Sequence, residues 1–311
     1  HIFHVENAVD AAQIFLALDI IFAVESQVFQ AVVNQGSFQK AAQVLSLTPS
    51  AVSHAVSSME QELGNALFVR SKKGITLTSY GEYLLPYINA VLTSEEHLHQ
   101  AINGINELQQ GTVKVGCFSS VCTNWIPDII HSFQADYPGI QIEIYEGTYA
   151  DVSYWIKNGI VEIGFLSSSS AGDLPFEPLY EDPLLCVVPF DYQKKKDSPV
   201  MTIEEMQNES FVSQRETTDA DITNFFKSNG LNVHSAYHVV DDLSTISMVA
   251  EGFGICIMPA LVMNDIPYAV KTYPVSPKAS RIIGISALEP ELLAPAAKIL
   301  YQHILHLFII S

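Results

Sequence analysis

Residues 28–64 determine the fold of the N-terminal part of the chain, and they read VFQAVVNQGSFQKAAQVLSLTPSAVSHAVSSMEQELG. Apolar residues at positions 28, 29, 32 and 33 recur at helical spacing. Gly36 is suited to ending that helix, and Ser37 to capping the next. Thr48 then precedes Pro49, and proline fits the first position of a third helix. The stretch predicts three short helices joined by tight turns, the pattern of a helix-turn-helix.

The predicted third helix, which Gly64 ends, separates apolar from small polar side chains. The apolar residues recur at helical spacing and are expected to face the core; they are Val52, Val56, Met59 and Leu63. The opposite face carries Ser50, Ser53, His54 and Ser57. A third helix that presents a small polar face is typical of the element that enters the major groove of DNA.

A basic turn follows the third helix. Residues 66–69 and 75–78 each read as a short strand, and the residues between them are RSKKG, which include Arg70, Lys72 and Lys73. A β-ribbon placed after the third helix is a wing, positioned to contact backbone phosphates beside the groove. The alternative is that the turn is an ordinary solvated surface turn, as many short basic runs are.

A long helix is predicted over residues 80–110, with Ser79 and Glu82 as a capping-box pair at its start. Its apolar residues form a narrow stripe of near-heptad spacing, interrupted by Glu95: Leu84, Ile88, Val91, Leu98, Ile102 and Ile105. A long helix with so narrow a stripe needs a partner, and a coiled coil with a second copy would supply one. The alternative is that the stripe packs on its own domain.

From residue 111 the pattern changes to strands that alternate with helices. This order predicts an α/β fold with open sheets. We expect two α/β lobes joined by crossing strands, lobe I at about 111–184 and 282–311 and lobe II at about 185–281. No Gly-rich phosphate loop follows any predicted strand, so a nucleotide site is not expected.

The charge of the chain argues against indiscriminate DNA binding, since phosphate contacts need Lys and Arg. The 311 residues include 15 basic and 34 acidic side chains, a formal net charge of −19. The window 37–79, however, holds four basic residues and only two acidic ones, Glu60 and Glu62, a net charge of +2. The acidity therefore does not exclude DNA as a partner, but it predicts weak non-specific binding.

The remaining composition excludes several classes of protein. Hydrophobic residues make up 48% of the chain, which is enough for packed cores. No stretch reaches the ~18 apolar residues that suggest a membrane span, so no membrane partner is expected. The four cysteines include no CxxC pair. Residues 1–24 form a leader to which we assign no role, and they lack the features of a signal peptide.

Taken in order, these motifs resemble the LysR-type transcriptional regulators, a bacterial family. The N-terminal resemblance rests on FQAVVNQGSFQKAA at 29–42, LTPSAVS at 47–53, MEQELGNALFVR at 59–70 and LTSYGE at 77–82. It continues through GTVKVG at 111–116, YPGI at 137–140, DPL at 182–184 and GFGI at 252–255. The resemblance covers about residues 25–305.

The resemblance implies a domain organisation and partners. It implies a winged helix-turn-helix at 25–79, a dimerising linker helix at 80–110, and at 111–311 an effector-binding domain that resembles periplasmic binding proteins. Such a protein is a cytoplasmic regulator, not an enzyme. It binds an interrupted-dyad operator in double-stranded DNA as a homodimer or homotetramer, and it responds to a small-molecule effector between the lobes. No cofactor or metal is implied.

The DNA-binding residues follow from the same resemblance. Those expected at the groove are Thr48, Pro49, Ser50, Ser53, His54 and Ser57, and those expected at phosphates are Arg70, Lys72 and Lys73. Ser37 is also expected to contact DNA. His54 stands where the family usually has Arg or Gln, so bidentate reading of guanine by Arg is not available on this helix. We therefore expect each monomer to bind DNA weakly, and the affinity to depend more on dimer pairing and on DNA shape.

The resemblance places the effector at the start of the helix after the first strand of the domain. The expected contacts are Ser119, Ser120, Thr148, Ser213, Gln214 and Arg215. Hydroxyls, helix-start amides and a guanidinium favour an anion such as a carboxylate. The alternatives are that the serines only cap the helix, and that Arg215 forms a surface ion pair with Glu216 or Asp219.

Three other readings remain open from the sequence. Cys117 and Cys122 lie near the effector segment and could form a redox switch, but inert packing is the alternative. A solute-binding protein without a DNA function is a second reading, although the helix-turn-helix and wing would then have no purpose. An α/β enzyme is a third, but no catalytic constellation or metal-binding His pattern is visible.

Overall fold

The computed structural model describes residues 24–71, 74–104, 111–194, 197–214, 220–233, 235, 237–239 and 241–309. The chain forms two compact units that divide between Ile102 and Asn103. The leader expected at 1–24 lies outside the described residues except for Val24. Each unit has its own core, as its separate hydrophobic clusters show.

The first unit is built from four helices and a two-stranded ribbon. In chain order they are α1 (24–35), α2 (Phe38–Val44), α3 (Pro49–Leu63), β1 (Phe68–Ser71), β2 (Gly74–Leu77) and α4 (Ser79–Gly104). Phe29, Met59 and Leu67 are among its largest fully buried side chains. The predicted three helices and ribbon are therefore present and share one core.

The turns between these helices have the chemistry that the sequence predicts. Gly36 and Gly64 end α1 and α3 with φ of +58° and +69°, where glycine avoids the steric cost of a side chain. The hydroxyl of Ser37 accepts from the Lys40 amide at 3.4 Å, and that of Thr48 accepts from the Ala51 amide at 3.2 Å. Local hydrogen bonds thus fix where α2 and α3 begin.

The predicted cap of α4 is wrong by one residue. Thr78, not Ser79, precedes the helix, and its hydroxyl accepts from the Gly81 amide at 3.0 Å. The same hydroxyl donates to the Ala66 carbonyl at 2.8 Å. Thr78 is favoured because it caps α4 and also ties the helix start to the chain entering β1, a contact that local sequence patterns do not contain.

The long helix α4 has one face in the core of the first unit and another at its surface. Leu85, Ile88 and Asn89 are buried, and Asn89 accepts a hydrogen bond from the Gln30 side chain on α1 at 2.9 Å. The exposed apolar residues lie on a different face: Tyr83, Tyr87, Val91 and Leu98. The predicted stripe is thus divided, because Ile88 packs on its own unit while Val91 and Leu98 do not.

The second unit alternates strands and helices. Its strands are β3 (Gly111–Cys117), β4 (Ile140–Glu146), β5 (Ile163–Ser167), β6 (Phe176–Pro189), β7 (Met201–Thr202), β8 (Val212–Gln214), β9 (Tyr237–Val239), β10 (Cys256–Pro259), β11 (Val270–Ser276) and β12 (Ser280–Ser286). Its helices are α5 (Ser119–Asn124), α6 (Ile126–Asp136), α7 (Tyr149–Lys157), α8 (Ser168–Ala171), α9 (Ile203–Met206), α10 (Ala220–Ser228), α11 (Asp242–Ala250) and α12 (Pro295–Ile309).

The strand order shows how two lobes share one sheet. The order is β4-β3-β5-β12-β6-β11-β7, with β10 also paired to β6. The first half of β6 pairs with β12 in lobe I, and from Leu184 onward β6 pairs with β10 and β11 in lobe II. The chain crosses between lobes at Asp182–Leu184 and again between β11 and β12. The predicted two-lobed α/β fold is confirmed.

Within the part of the chain that the structure describes, no helix combines the length and the apolar character needed to cross a bilayer.

Candidate functional site

The face of α3 that the sequence singles out is open to solvent. Thr48, Pro49, Ser50, His54 and Ser57 are exposed, while Ser53 is half-buried and Ser37, at the start of α2, is also half-buried. Val52, Val56 and Met59 on the other face are buried. The structure thus places Thr48, Ser50, Ser53, His54 and Ser57 together at the start and along the first turns of α3.

The start of α3 is held by its own side chains. The Thr48 and Ser50 hydroxyl oxygens lie 3.0 Å apart, and Thr48 also caps the helix. A residue engaged in this way keeps a fixed rotamer, so less conformational entropy is lost when a partner binds. Thr48 and Ser50 therefore form a preorganised corner at the N-terminal end of α3.

The wing is fixed to α3 by Glu60. One carboxylate oxygen of Glu60 accepts from the backbone amides of Leu67 at 2.7 Å and of Phe68 at 3.2 Å. Hydrogen bonds to an ionised acceptor are among the stronger ones in proteins. In the sequence Glu60 only lowers the local net charge, but in the structure it links α3 to the start of β1.

Arg70 lies on β1 with its guanidinium over an aromatic ring. Its central carbon is 4.6 Å from the centroid of the Phe38 ring on α2, and Arg70 itself is exposed. Stacking restricts a long side chain while leaving its charge on the surface. In the ribbon Arg70 pairs with Ile75, and the Ser71 hydroxyl donates to the Gly74 carbonyl at 3.1 Å. Lys72 and Lys73 lie outside the described residues.

The two serines of the expected effector segment differ in exposure. Ser119 is exposed at the start of α5, whereas Ser120 is only 5% exposed. The Ser120 hydroxyl accepts a hydrogen bond from Nη2 of Arg281 at 2.8 Å. Because a guanidinium can only donate, the hydrogen of the Ser120 hydroxyl is left to donate to an acceptor.

Thr148 is engaged in the cap of α7. Its amide and hydroxyl both donate to the Asp151 carboxylate, at 2.8 and 2.7 Å, and the hydroxyl accepts from the Asp151 amide at 3.2 Å. The hydroxyl hydrogen is thus already used. In this state Thr148 can accept a hydrogen bond from a ligand but cannot donate one to a carboxylate.

The remaining expected contacts lie in lobe II. Ser213 is on β8, and its amide donates to the Ser235 hydroxyl at 3.2 Å. Gln214 ends the same strand, and its side chain lies outside the described part of the structure. Arg215 lies wholly outside the described residues, as do Glu216 and Asp219, the partners of its alternative reading.

Arg281, which the sequence did not single out, lies under the expected effector segments. It is 3% exposed and pairs with Asp182, which is fully buried, through Nη2 at 2.7 Å and Nε at 2.8 Å. Its Nη1 donates to the Tyr149 hydroxyl at 2.6 Å, and the centroid of the Phe118 ring lies 5.0 Å from the guanidinium carbon. One guanidinium therefore joins the residue after Thr148 to Ser120. Arg281 and Ser120 are 161 positions apart, so no local pattern could reveal the contact.

The cysteine thiols are mostly buried. Cys117, Cys186 and Cys256 are at most 2% exposed, and Cys122 is half-buried. Burial raises the pKa of the Cys117 thiol well above its usual value, and the neighbouring Cys122 raises it further. Burial also raises the pKa of Cys186 and of Cys256. Since the thiolate is the reactive form, these positions favour inert packing over a redox switch.

We expect at most one thiol per folded chain, that of Cys122, to react with a disulfide reagent at about pH 8, and all four to react after denaturation. Raising the pH toward about 9 should not make the others reactive, because their raised pKa values keep them protonated. The absorbance of released thionitrobenzoate counts the reacting thiols. Rapid reaction of two or more thiols in the folded protein would favour the redox reading.

Among the described residues, no group of three His, Cys, Asp or Glu side chains is arranged to hold a metal ion.

Two family models match the chain. The model for the LysR substrate binding domain matches residues 106–308, and that for the bacterial regulatory helix-turn-helix protein of the lysR family matches residues 25–82. A relative from Bacillus subtilis strain 168, the uncharacterized HTH-type transcriptional regulator YvbU, is 28% identical over 285 residues. That alignment spans 91% of this chain and 97% of the relative.

Solved structures share the fold at low sequence identity. Full-length OxyR from Pseudomonas aeruginosa, in a variant form, has a TM-score of 0.70 at 19% identity and covers 91% of this chain and 97% of its own. CbnR in complex with its target DNA has a TM-score of 0.62 at 17% identity, covering 91% and 98%. The effector binding domain of QuiR in complex with shikimate has a TM-score of 0.58 at 20% identity, covering 65% and 99%.

Proposed function

This chain belongs to the LysR family of bacterial transcriptional regulators, and we propose that it binds an interrupted-dyad operator as a homodimer or homotetramer and responds to a small anionic effector. In this proposal residues 25–79 bind DNA, 80–110 pair the copies, and 111–311 bind the effector. It acts in the cytoplasm, where the operator DNA lies. The helix-turn-helix match speaks against a solute-binding protein without a DNA function.

The observation that carries the DNA-binding proposal is the exposed polar face of α3 beside the stacked Arg70. In the proposal Thr48, Pro49, Ser50, Ser53, His54 and Ser57 contact base edges, Ser37 contacts the adjacent backbone, and Arg70, Lys72 and Lys73 contact phosphates. Serine, threonine and neutral histidine make single hydrogen bonds rather than the bidentate pairs of Arg or Asn. The affinity for the operator then depends on two or more DNA-binding domains that are correctly spaced in the oligomer.

Selection from a pool of random duplexes tests this proposal. The duplexes retained by the full chain should contain two inverted half-sites at a constant spacing, because the two-fold symmetry of a dimer is mirrored in its operator. Their affinity should fall steeply as salt rises. Enrichment of single half-sites, or no enrichment, would contradict the proposal.

Pairing through α4 is proposed from the exposed apolar stripe Tyr83, Tyr87, Val91 and Leu98. The centroids of the Tyr83 and Tyr87 rings lie 5.6 Å apart, and the two rings extend the stripe toward the N-terminal end of the helix. An exposed apolar stripe along one face of a long helix, with Val91 and Leu98 one heptad apart, is the pattern of a coiled-coil seam. The stripe predicted from the sequence contained only Leu, Ile and Val, so it did not include the two tyrosines.

We expect Leu98→Glu to weaken pairing at least about tenfold, since burying a Leu side chain contributes about 1.5–3 kcal/mol and a buried carboxylate opposes pairing further. Light scattering across a dilution series measures the oligomeric state. Thr93→Glu, which introduces the same charge off the stripe, is the matched control and should leave pairing unchanged. Equal behaviour of both variants would mean that the stripe does not form the seam.

The effector is proposed to lie beside Ser119 and Ser120, with Thr148, Ser213, Gln214 and Arg215 around it. The Ser120 hydroxyl, which accepts from Arg281, has its hydrogen to give and so fits an acceptor such as a carboxylate oxygen. Thr148, as an acceptor, fits a hydroxyl on the same molecule. The effector class supported best is therefore a small hydroxy acid.

A thermal-shift comparison tests this class. Small hydroxy acids, each paired with its methyl ester, are added to the full chain, and a ligand that binds the folded state raises Tm by mass action. At least one acid should raise Tm while its ester does not. Stabilisation by esters as much as by acids would contradict an anionic effector, and no stabilisation by any acid would contradict the class.

A further inference from the structure

The buried charges Asp182 and Arg281 belong to a closed ring of hydrogen bonds. Arg281 donates to the Ser120 hydroxyl and to Asp182, and the Leu261 amide donates to the other oxygen of Asp182 at 2.9 Å. Asn124 closes the ring, because its Nδ2 donates to the Leu261 carbonyl at 3.1 Å and to the Ser120 carbonyl at 2.8 Å. We call these five residues the polar ring.

The members of the polar ring come from lobe I, from the two crossings between the lobes, and from a turn of lobe II. Ser120 and Asn124 lie near the two ends of α5 in lobe I. Asp182 lies where β6 changes partners from β12 to β10, and Arg281 is the second residue of β12, just after the second crossing. Leu261 follows β10 in a 3-10 turn that precedes β11 of lobe II, and its side chain packs in the core of lobe I.

The energetics of the polar ring couple its members. A buried charge without its partner is costly, so Arg281 and Asp182 move together or incur a large desolvation penalty. Hydrogen bonds in a low-dielectric interior also polarise one another, so losing one weakens its neighbours. A change at Ser120 is therefore expected to reach Leu261 through Arg281 and Asp182, although Ser120 and Leu261 share no direct side-chain bond.

We propose that the polar ring is the physical connection between the effector segment at α5 and the strands that cross between the lobes. Arg281 and Asp182 are positioning residues in this device, since they act through Ser120 and Leu261. The proposal rests on the proposed function only in placing the effector at α5. A ligand that takes the hydrogen of the Ser120 hydroxyl strengthens the bond from Arg281 and so tightens the crossing.

Hydrogen exchange at the Leu261 amide tests the coupling in the full chain without any effector. Ser120→Ala removes the acceptor of Arg281 and should speed exchange in peptides covering residues 260–263 by about fivefold, the scale of one lost buried hydrogen bond. Ser119→Ala changes the exposed neighbour and is the matched control. It should leave exchange at Leu261 unchanged.

The outcomes separate coupling from general destabilisation. Peptides from α10, which lies in lobe II and contains no member of the polar ring, should exchange at the same rate in both variants. Unchanged exchange at Leu261 in Ser120→Ala would overturn the proposal, and so would an equal acceleration of α10. Because no effector is present, this result is independent of the thermal-shift test of the effector class.

Discussion

Replacing Asp182 by alanine is expected to lower the free energy of unfolding of the second unit by about 3–5 kcal/mol, the usual cost of removing one partner from a buried ion pair. The variant leaves the Arg281 guanidinium, 3% exposed, without its carboxylate and the Leu261 amide without its acceptor. Both groups are buried, so water cannot replace the hydrogen bonds that they lose. Asp182 therefore has a larger expected effect than any surface charge.

Urea denaturation followed by tryptophan fluorescence measures this effect. The chain has two tryptophans, Trp125 and Trp155, and both lie in the second unit, so their emission reports that unit alone. The control is Glu181→Gln, one residue earlier. Glu181 pairs with Lys278 at 3.4 Å, but the two side chains are 54% and 79% exposed.

The control should have little effect on the free energy of unfolding, because solvent screens an exposed pair. A hydrogen bond from Ser280 and the charge of Lys278 lower the pKa of the Glu181 carboxyl, so any contribution from this residue is present at neutral pH and is lost as the pH falls through its folded pKa. Equal costs for the two variants would refute the argument from burial.

Changing Arg70, Lys72 and Lys73 together to alanine is expected to abolish binding to the selected duplex at physiological salt while sparing oligomerisation. The window 37–79 contains four basic residues, and the triple variant leaves only Lys40. For each phosphate that the variant no longer neutralises, the slope of log affinity against log salt should become shallower by about 0.9. Failure to bind even at low salt would show that these three side chains supply most of the affinity.

The matched control for the triple variant makes the same change in net charge elsewhere. Lys157, Lys227 and Lys278 are exposed lysines of the second unit, and their replacement by alanine also removes three positive charges. Titrations of a fluorescent duplex at several salt concentrations should show near-normal binding for this control. If the wing variant bound with an unchanged slope, the assignment of the wing to phosphates would be wrong.

The first unit could be predicted closely because its signals are local. Gly36, Ser37, Thr48 and Gly64 act on backbone groups within four residues, so the residue types themselves mark the helix ends. The Thr78 cap escaped prediction because its second bond reaches Ala66, twelve positions away. The division of the α4 stripe escaped for the same reason, since which side of α4 is covered depends on where α1 packs.

The effector region could be predicted in outline but not in its chemistry. The order of strands and helices indicated the two lobes and placed Ser119, Ser120 and Thr148 after strands. It could not show that Arg281 reaches Ser120 or that Asp151 takes the Thr148 hydrogen, because rotamers and long-range pairing decide these contacts. Asp182 looked like part of a family motif, and only the fold shows it as a buried charge.

The two hydrogen bonds that Glu60 accepts at the start of β1 have a consequence for the choice of DNA sequence. Because one Glu60 oxygen accepts from the amides of both Leu67 and Phe68, α3, the helix that we propose to enter the groove, is held at a fixed separation from the β1-β2 ribbon. A duplex whose groove and backbone do not match that separation must deform when it binds, and the energy of this deformation depends on its sequence. A rigid DNA-binding domain can thus bind some sequences more tightly than others, even where its uncharged side chains on α3 would contact both equally well.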